Sequence, residues 1–186
     1  MWRIGRVAIA LGMLASSAMA AGPEFFSGSS GPWTIKGYKS ADGKNPACAM
    51  QVDWADGSNW AIYKDLKDDE IYFIVQNVDW FFPESVHKKT GSARLNFYFG
   101  QEVIGAPIHF EVLGKDTIRM RNVESNKFTP MFMKGTRMAL IMPDNYQNIG
   151  TPLRGSSEAV MQTLQCIESA KRINLYPELP SADVKL

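Results

Sequence analysis

The chain has 186 residues, with 20 basic side chains, 19 acidic side chains and two histidines, so its formal net charge is +1. This length fits one domain with a substantial core, and a hydrophobic content of 45% excludes wholesale disorder. Balanced charge provides no strong field for nucleic acid or for an anionic membrane surface, so we expect no nucleic-acid partner.

Residues 1–20 have the three-part layout of a secretory signal peptide. Arg3 and Arg6 precede the short apolar run 7–14, and the segment 18–20 (Ala-Met-Ala) offers the small residues that a signal peptidase requires. The apolar run is too short to anchor the chain in a bilayer, so we expect no integral membrane segment after cleavage. The expected location of the mature protein is therefore periplasmic or secreted.

The rest of the chain divides into three parts by composition. Residues 21–31 are rich in Gly and Ser, which indicates a flexible lead-in. Residues 32–171 are expected to form a single β-rich domain, because short apolar runs alternate with polar residues and turn residues at regular intervals. Residues 172–186 contain two prolines and show no periodicity, which is typical of an extended C-terminal tail.

Apolar and alternating runs predict the strands of this domain. In chain order they lie at 33–39, 47–54, 59–64, 71–77, 93–99, 107–113, 117–123 and 137–142. The tight-turn signal Asp56-Gly57 joins the second and third of these strands into the clearest hairpin. The segment 127–134 is ambiguous between a short helix and an edge strand, and Pro130 weakens both interpretations.

The clearest predicted helix covers about 157–170. Ser157 is a candidate N-cap residue, and Val160, Leu164 and Ile167 recur at helical spacing. We therefore expect a mainly β protein: an antiparallel β-sandwich or partly open barrel of about seven to nine strands, with one C-terminal α-helix packed on the sheet.

The chain contains two cysteines, Cys48 and Cys166. In an oxidising compartment an even pair indicates first of all one disulfide bond. Two separate buried thiols are an alternative, and a catalytic thiol is a third, although neither cysteine has a CxxC neighbour or a histidine nearby in sequence. A bond between them would attach the C-terminal helix to the second predicted strand.

Three short motifs stand at the two ends of the domain. They are Gly-Pro-Trp-Thr-Ile at 31–35, Asn-Pro-Ala-Cys-Ala at 45–49 and Leu-Arg-Gly-Ser-Ser-Glu-Ala at 153–159. Together they resemble the opening and closing pattern of the invasion-associated locus B type exported proteobacterial proteins and their uncharacterised relatives. The middle of the chain lacks the extra cysteines and the glycine-proline signature of those proteins, so the resemblance implies only a β-rich exported scaffold.

Trp80, Phe81 and Phe82, which stand directly before Pro83, are the best binding candidates. Three successive aromatic residues at the end of a strand cannot all face the same core, so at least one is expected to be exposed. An exposed aromatic ring would suit a partner protein or a sugar ring. Packing in the core or at the sheet edge is the alternative.

The sequence identifies no catalytic residue. His87 lies beside two lysines, and His109 points away from the apolar face of its predicted strand, so both are expected at the solvated surface. No spacing typical of a zinc site occurs, and residues 155–159 (Gly-Ser-Ser-Glu-Ala) do not form a nucleophile elbow. The methionine thioethers between residues 131 and 142 could bind Cu(I), but packing in the core explains these side chains more simply. We therefore expect no metal and no cofactor.

These observations predict an exported, non-enzymatic binding protein that is stabilised by one disulfide bond and acts on another envelope or extracellular protein. A small inhibitor or accessory subunit of a cell-envelope enzyme is an alternative. An envelope enzyme that uses a carboxylate or His109 as its base is a third. The sequence does not identify the ligand or the oligomeric state.

Overall fold

The fold is that of a computed structural model, which describes residues 24–39, 46–65, 71–121, 123, 125–143 and 146–175. The predicted signal peptide lies outside these residues. The described residues form ten strands: β1 Glu24–Ser30, β2 Trp33–Lys39, β3 Pro46–Asp53, β4 Asn59–Asp65, β5 Ile71–Gln76, β6 Thr90–Phe99, β7 Glu102–Val112, β8 Thr117–Met120, β9 Arg137–Ile141 and β10 Ile149–Pro152. They also form a helical turn Glu84–Val86 and the helices α1 Ser125–Lys134 and α2 Ser156–Leu175.

All ten strands belong to one antiparallel sheet that is not closed. Their order is β1-β2-β3-β4-β5-β8-β7-β6-β9-β10. Helix α2 packs on β1, β2 and β3, and α1 lies against α2 and β6. The predicted mainly β antiparallel fold with a C-terminal helix on the sheet is therefore confirmed, and the strands form one open sheet instead of two separate sheets. None of the described helices has the length and apolarity needed to span a membrane.

One face of the sheet is apolar and forms the core. Side chains of a strand alternate between its two faces, and buried residues accordingly alternate with less buried ones in β2, β5 and β8. Phe128 and Phe132 of α1 close this core from the other side, with their ring centroids 5.2 Å apart. Fully buried large side chains include Trp33, Ile35, Val52, Trp60, Phe73, Phe82, Phe97, Ile118, Met120, Met138 and Leu140.

Two predictions at the ends of the domain are wrong. Residues 24–30 of the predicted lead-in form β1, which pairs with β2 from Glu24 opposite Tyr38 to Ser30 opposite Trp33. Their Gly and Ser residues have a low strand propensity, but the hydrogen bonds formed with the edge of β2 compensate for it. At the other end, α2 continues to Leu175 and includes the first residues of the predicted tail.

Two segments in the second half were ambiguous or not predicted. Residues 125–134 are helical in spite of Pro130, because Phe128 and Phe132 share one face and are both buried. Strand β10 was not predicted, since it has four residues and contains both Gly150 and Pro152. Its pairing with β9 supplies the hydrogen bonds that its own composition does not favour.

The predicted disulfide bond between Cys48 and Cys166 is confirmed. Its Cα atoms are 6.0 Å apart across a sequence separation of 118, and both cysteines are fully buried. Gly37 lies opposite Cys48 in β2, and a Cβ atom there would lie 2.7 Å from the ring of Phe25 and 2.8 Å from Cys166 Sγ. The absence of a side chain at Gly37 therefore lets α2 approach the sheet closely enough for the bond.

Candidate interaction surface

Several chain connections meet at the end of the sheet that contains the predicted aromatic segment. The backbone N–H of Asn77 donates to Asp116 O at 3.0 Å, and that of Phe82 donates to Lys115 O at 2.6 Å, so the segment after β5 lies against the turn between β7 and β8. A Cβ atom on Gly57 would lie 2.8 Å from the side chain of Val78, so the β3–β4 turn packs on the same segment.

A tight turn at residues 77–80 reverses the chain after β5. The buried side chain of Asn77 accepts a hydrogen bond from the backbone N–H of Asp79 at 3.1 Å. The backbone carbonyl of Asn77 accepts a second hydrogen bond, from the backbone N–H of Trp80 at 3.0 Å. An asparagine side chain that bonds the backbone two residues later is a common way to build such a turn. This turn sets the direction in which the three aromatic residues point.

Trp80 and Phe82 are both core residues. Their rings meet edge to face at 5.8 Å, and Trp80 Nε1 donates a 2.7 Å hydrogen bond to Gln147 O. The ring of Phe82 also packs on that of Tyr146, with centroids 4.7 Å apart. The buried indole is satisfied by a carbonyl of the β9–β10 connection, which attaches the aromatic segment to a third part of the chain.

Phe81 points the opposite way and has 73% of its surface exposed. Its two neighbours lie in the core, and this leaves the middle residue outside. Val78 and Leu113, on the turns that flank it, are 52% and 38% exposed. All three residues lie on connections that are hydrogen-bonded to each other at this end of the sheet, and we term Val78, Phe81 and Leu113 together the loop-end patch.

Two carboxylates, those of Asp116 and Asp56, lie on the turns beside the loop-end patch. Asp116 accepts hydrogen bonds from Thr117 Oγ1 at 2.8 Å and from Gln76 Nε2 at 3.1 Å. In the β3–β4 turn, hydrogen bonds from the hydroxyl and the backbone N–H of Ser58 hold the pKa of Asp56 below its usual value. Both carboxylates thus stabilise their own turns, and the patch has an apolar centre with a polar border.

The two histidines lie on different elements and have different hydrogen-bond partners. His87 Nε2 lies 3.2 Å from the carbonyl oxygen of Phe82 and helps to hold the aromatic segment. His109 is exposed on the outer face of the sheet, where its Nδ1 lies 3.1 Å from Ser92 Oγ. Among the described residues, no three His, Cys, Asp or Glu side chains are grouped as a metal ion would require.

Sequence reasoning identified the aromatic segment but not its companions in the patch. Val78 lies in the turn that begins at Asn77, and Leu113 stands between the end of β7 and Gly114, so each is an apolar residue at a turn. Such an apolar residue at a turn is the signal that could have identified them, because a turn leaves little cover for its side chains.

No family model and no curated protein matches the chain. The fold is similar to the crystal structure of invasion associated protein B from Bartonella henselae, with 13% identity and a TM-score of 0.49, over 77% of this chain and 99% of that chain. At this identity the likeness concerns the fold alone.

Proposed function

We propose that the protein is exported and binds another protein through the loop-end patch. The observation that carries this proposal is the 73% exposure of Phe81 on a segment whose two flanking aromatic residues are buried. A large ring presented from a fixed support loses little conformational freedom on binding. Exposed aromatic residues of this kind supply much of the binding energy in protein interfaces.

The arrangement of the patch supports a protein partner. Its centre consists of Phe81, Val78 and Leu113, and its border is polar, which is the usual anatomy of a protein–protein interface. We expect the partner to present an apolar pocket or ridge. Because the centre carries no charge, the affinity should depend only weakly on salt concentration.

Two features support export. The layout of residues 1–20 is that of a signal peptide, and the chain forms a buried disulfide bond. Disulfide bonds persist in oxidising compartments, whereas cytosolic thiols are kept reduced. The test is cell fractionation followed by mass spectrometry of the intact protein. We expect a periplasmic or secreted chain that begins at Ala21, and a cytosolic chain that still carries Met1 would refute export.

The binding role is tested with the mature chain from residue 21 and its Phe81→Ala variant. A partner captured from envelope extract is purified, and its affinity for each protein is measured by calorimetry. We expect Phe81→Ala to weaken binding at least tenfold. The matched control is Leu164→Ala on α2, which removes an apolar side chain of 49% exposure from a different surface.

The control variant should bind as the unmodified protein does. Equal affinity of the unmodified protein and Phe81→Ala would refute a role for the patch. An equal loss in both variants would show nonspecific apolar capture and refute it as well. Thermal unfolding of both variants verifies that each is folded.

A further inference from the structure

The outer face of the sheet, opposite the apolar core, carries two arginines whose side chains lie across glycines. Arg94 of β6 is exposed, and a Cβ atom on Gly105 of β7 would lie 2.7 Å from its Nε. Arg137 of β9 is exposed as well, and a Cβ atom on Gly150 of β10 would lie 2.6 Å from its Nη2. Each glycine therefore leaves the space in which a guanidinium lies on the neighbouring strand.

The two glycines stand in one row that crosses four neighbouring strands. Gly105 pairs with Asn96 of β6, and Asn96 pairs with Ala139 of β9. Ala139 in turn pairs with Gly150. Paired residues lie on the same face of a sheet, and neighbouring strands are about 4.8 Å apart. The two glycines, and with them the two guanidinium groups, are therefore separated by three strand spacings, or about 14 Å.

Neutral groups hold both arginines in place. Arg94 Nε donates to Asn96 Oδ1 at 3.2 Å, and Arg94 Nη2 donates to Gly105 O at 3.0 Å. The Cζ atom of Arg137 lies 5.5 Å from the centroid of the Tyr98 ring, which is a cation–π contact. A guanidinium has five N–H donors, so both side chains are positioned while most of their donors stay available to a ligand. We term the outer surface that contains Arg94, Asn96 and Arg137 the arginine face.

Carboxylates that could neutralise the arginine face are scarce. Strands β6, β9 and β10 contain no Asp or Glu. On the outer face of β7 the carboxylate is that of Glu111, which accepts a 2.6 Å hydrogen bond from Arg119 Nη2. Glu102 is an even-numbered residue of β7, and side-chain alternation places it on the opposite face. Within the described part of the chain, neither arginine of the arginine face forms an ion pair.

We propose that the arginine face binds an acidic polysaccharide, a sugar chain that carries carboxylate or sulfate groups at intervals, with one acidic group at each arginine. A single small anion cannot contact two guanidinium groups that are about 14 Å apart, so the ligand must be extended. A guanidinium binds an oxyanion through two parallel N–H donors, which makes such contacts strong and directional. The two positive charges thus match two acidic groups on one chain.

The middle of the arginine face favours a sugar chain over a uniformly charged polymer. Asn96 lies between the two arginines in the row, and its Oδ1 already accepts a hydrogen bond from Arg94. Its Nδ2 group is therefore left to donate to a ligand. An amide donor suits the uncharged hydroxyl oxygens that a sugar chain has between its acidic groups. A polyphosphate or polyglutamate chain would place further charges there without a cation to meet them.

The first test measures binding of a galacturonic acid hexamer to the mature chain by calorimetry at low ionic strength. We expect Arg94→Gln and Arg137→Gln each to weaken binding about tenfold, because each variant loses a charge-assisted contact. Arg172→Gln is the matched control, since it removes an exposed arginine from α2 and should leave the affinity unchanged. Equal losses in all three variants would show attraction by net charge alone and would overturn the proposal. Thermal unfolding verifies that each variant is folded.

The second test varies the ligand. A galacturonic acid dimer is too short to reach both arginines and should bind much more weakly than the hexamer. A hexaglutamate peptide has the same number of carboxylates without the hydroxyl groups, and a neutral glucose hexamer has the hydroxyl groups without the carboxylates, so both should also bind more weakly. Absence of hexamer binding, or binding of any of these three ligands as tight as that of the hexamer, would contradict the proposal.

The arginine face and the loop-end patch are tested independently. Phe81→Ala should bind the galacturonic acid hexamer as the unmodified protein does, because Phe81 lies on the connection after β5. Salt should weaken binding of the hexamer strongly, since exposed charges are screened. A loss of hexamer binding in Phe81→Ala would contradict a separate site on the outer face. Failure of the protein-binding role would leave the hexamer results unchanged.

Discussion

Trp54 Nε1 donates a 3.0 Å hydrogen bond to Thr151 Oγ1, across a sequence separation of 97 residues. Trp54 directly follows β3 and Thr151 lies in β10, and six strands stand between β3 and β10 in the sheet order. The open sheet therefore curves back on itself until its last strand reaches its third. Thr151 is fully buried, so its hydroxyl depends on such a partner.

Removal of this hydrogen bond should destabilise the fold. Trp54→Phe retains an aromatic ring but removes the donor, and we expect the free energy of unfolding to fall by about 1–2 kcal/mol. Thr151→Val should act similarly, and the double variant should cost less than the sum of the two single variants. Urea denaturation of the unmodified protein, the two single variants and the double variant measures these free energies of unfolding. Strict additivity would show that the two side chains do not interact.

The disulfide bond should provide much of the stability of the domain. Replacement of both Cys48 and Cys166 by alanine removes a crosslink between residues 118 positions apart. In the chain-entropy account, such a crosslink lowers the entropy of the unfolded chain by an amount worth about 5 kcal/mol. Urea denaturation of the double variant tests this, with the reduced unmodified protein as the control. A loss below about 1 kcal/mol would contradict the expectation.

Truncation of Phe82 should lower the free energy of unfolding strongly, whereas truncation of Phe81 should leave it almost unchanged. Phe82 is 2% exposed and contacts Trp80 and Tyr146, so Phe82→Ala should cost about 3–5 kcal/mol of unfolding free energy. Phe81→Ala removes an exposed ring and should change the same quantity by less than about 0.5 kcal/mol. Thermal or urea unfolding distinguishes them. A large loss for Phe81→Ala would mean that this ring serves the fold instead of a partner.

Tyr63 should make stability depend on alkaline pH. Burial, and to a smaller extent the charge of Tyr72, which is stacked on it with ring centroids 5.0 Å apart, together raise the pKa of Tyr63 to about 12. In the unfolded chain the same phenol has a pKa of about 10. Between these values the unfolded state loses its proton first, so the free energy of unfolding should fall as the pH rises from 10 to 12.

The matched variant for this pH dependence is Tyr63→Phe. It should show a shallower decline of stability over the same alkaline range, and ultraviolet titration should show one fewer late-ionising tyrosine. Identical pH profiles for the two proteins would contradict the raised pKa.

The sequence predicted most of the central strands closely. Trp33–Lys39 forms β2 with the predicted bounds, and the segments predicted at 59–64, 71–77 and 137–142 each form a strand to within one residue at either end. These assignments succeeded because alternation of side chains is a local property that each strand carries by itself. The even cysteine count likewise indicated the disulfide bond without knowledge of any contact.

The tertiary structure decided the features that depend on distant partners. The strands β1 and β10 exist because β2 and β9 offer hydrogen bonds that the Gly, Ser and Pro residues of these segments do not attract by themselves. The sequence indicated that one of three aromatic residues would be exposed, but only the turn at Asn77 and the contacts of Trp80 and Phe82 select Phe81. Periodicity depends only on residues that are neighbours in sequence. The direction of a side chain at the end of a strand depends on contacts with residues that are distant in sequence.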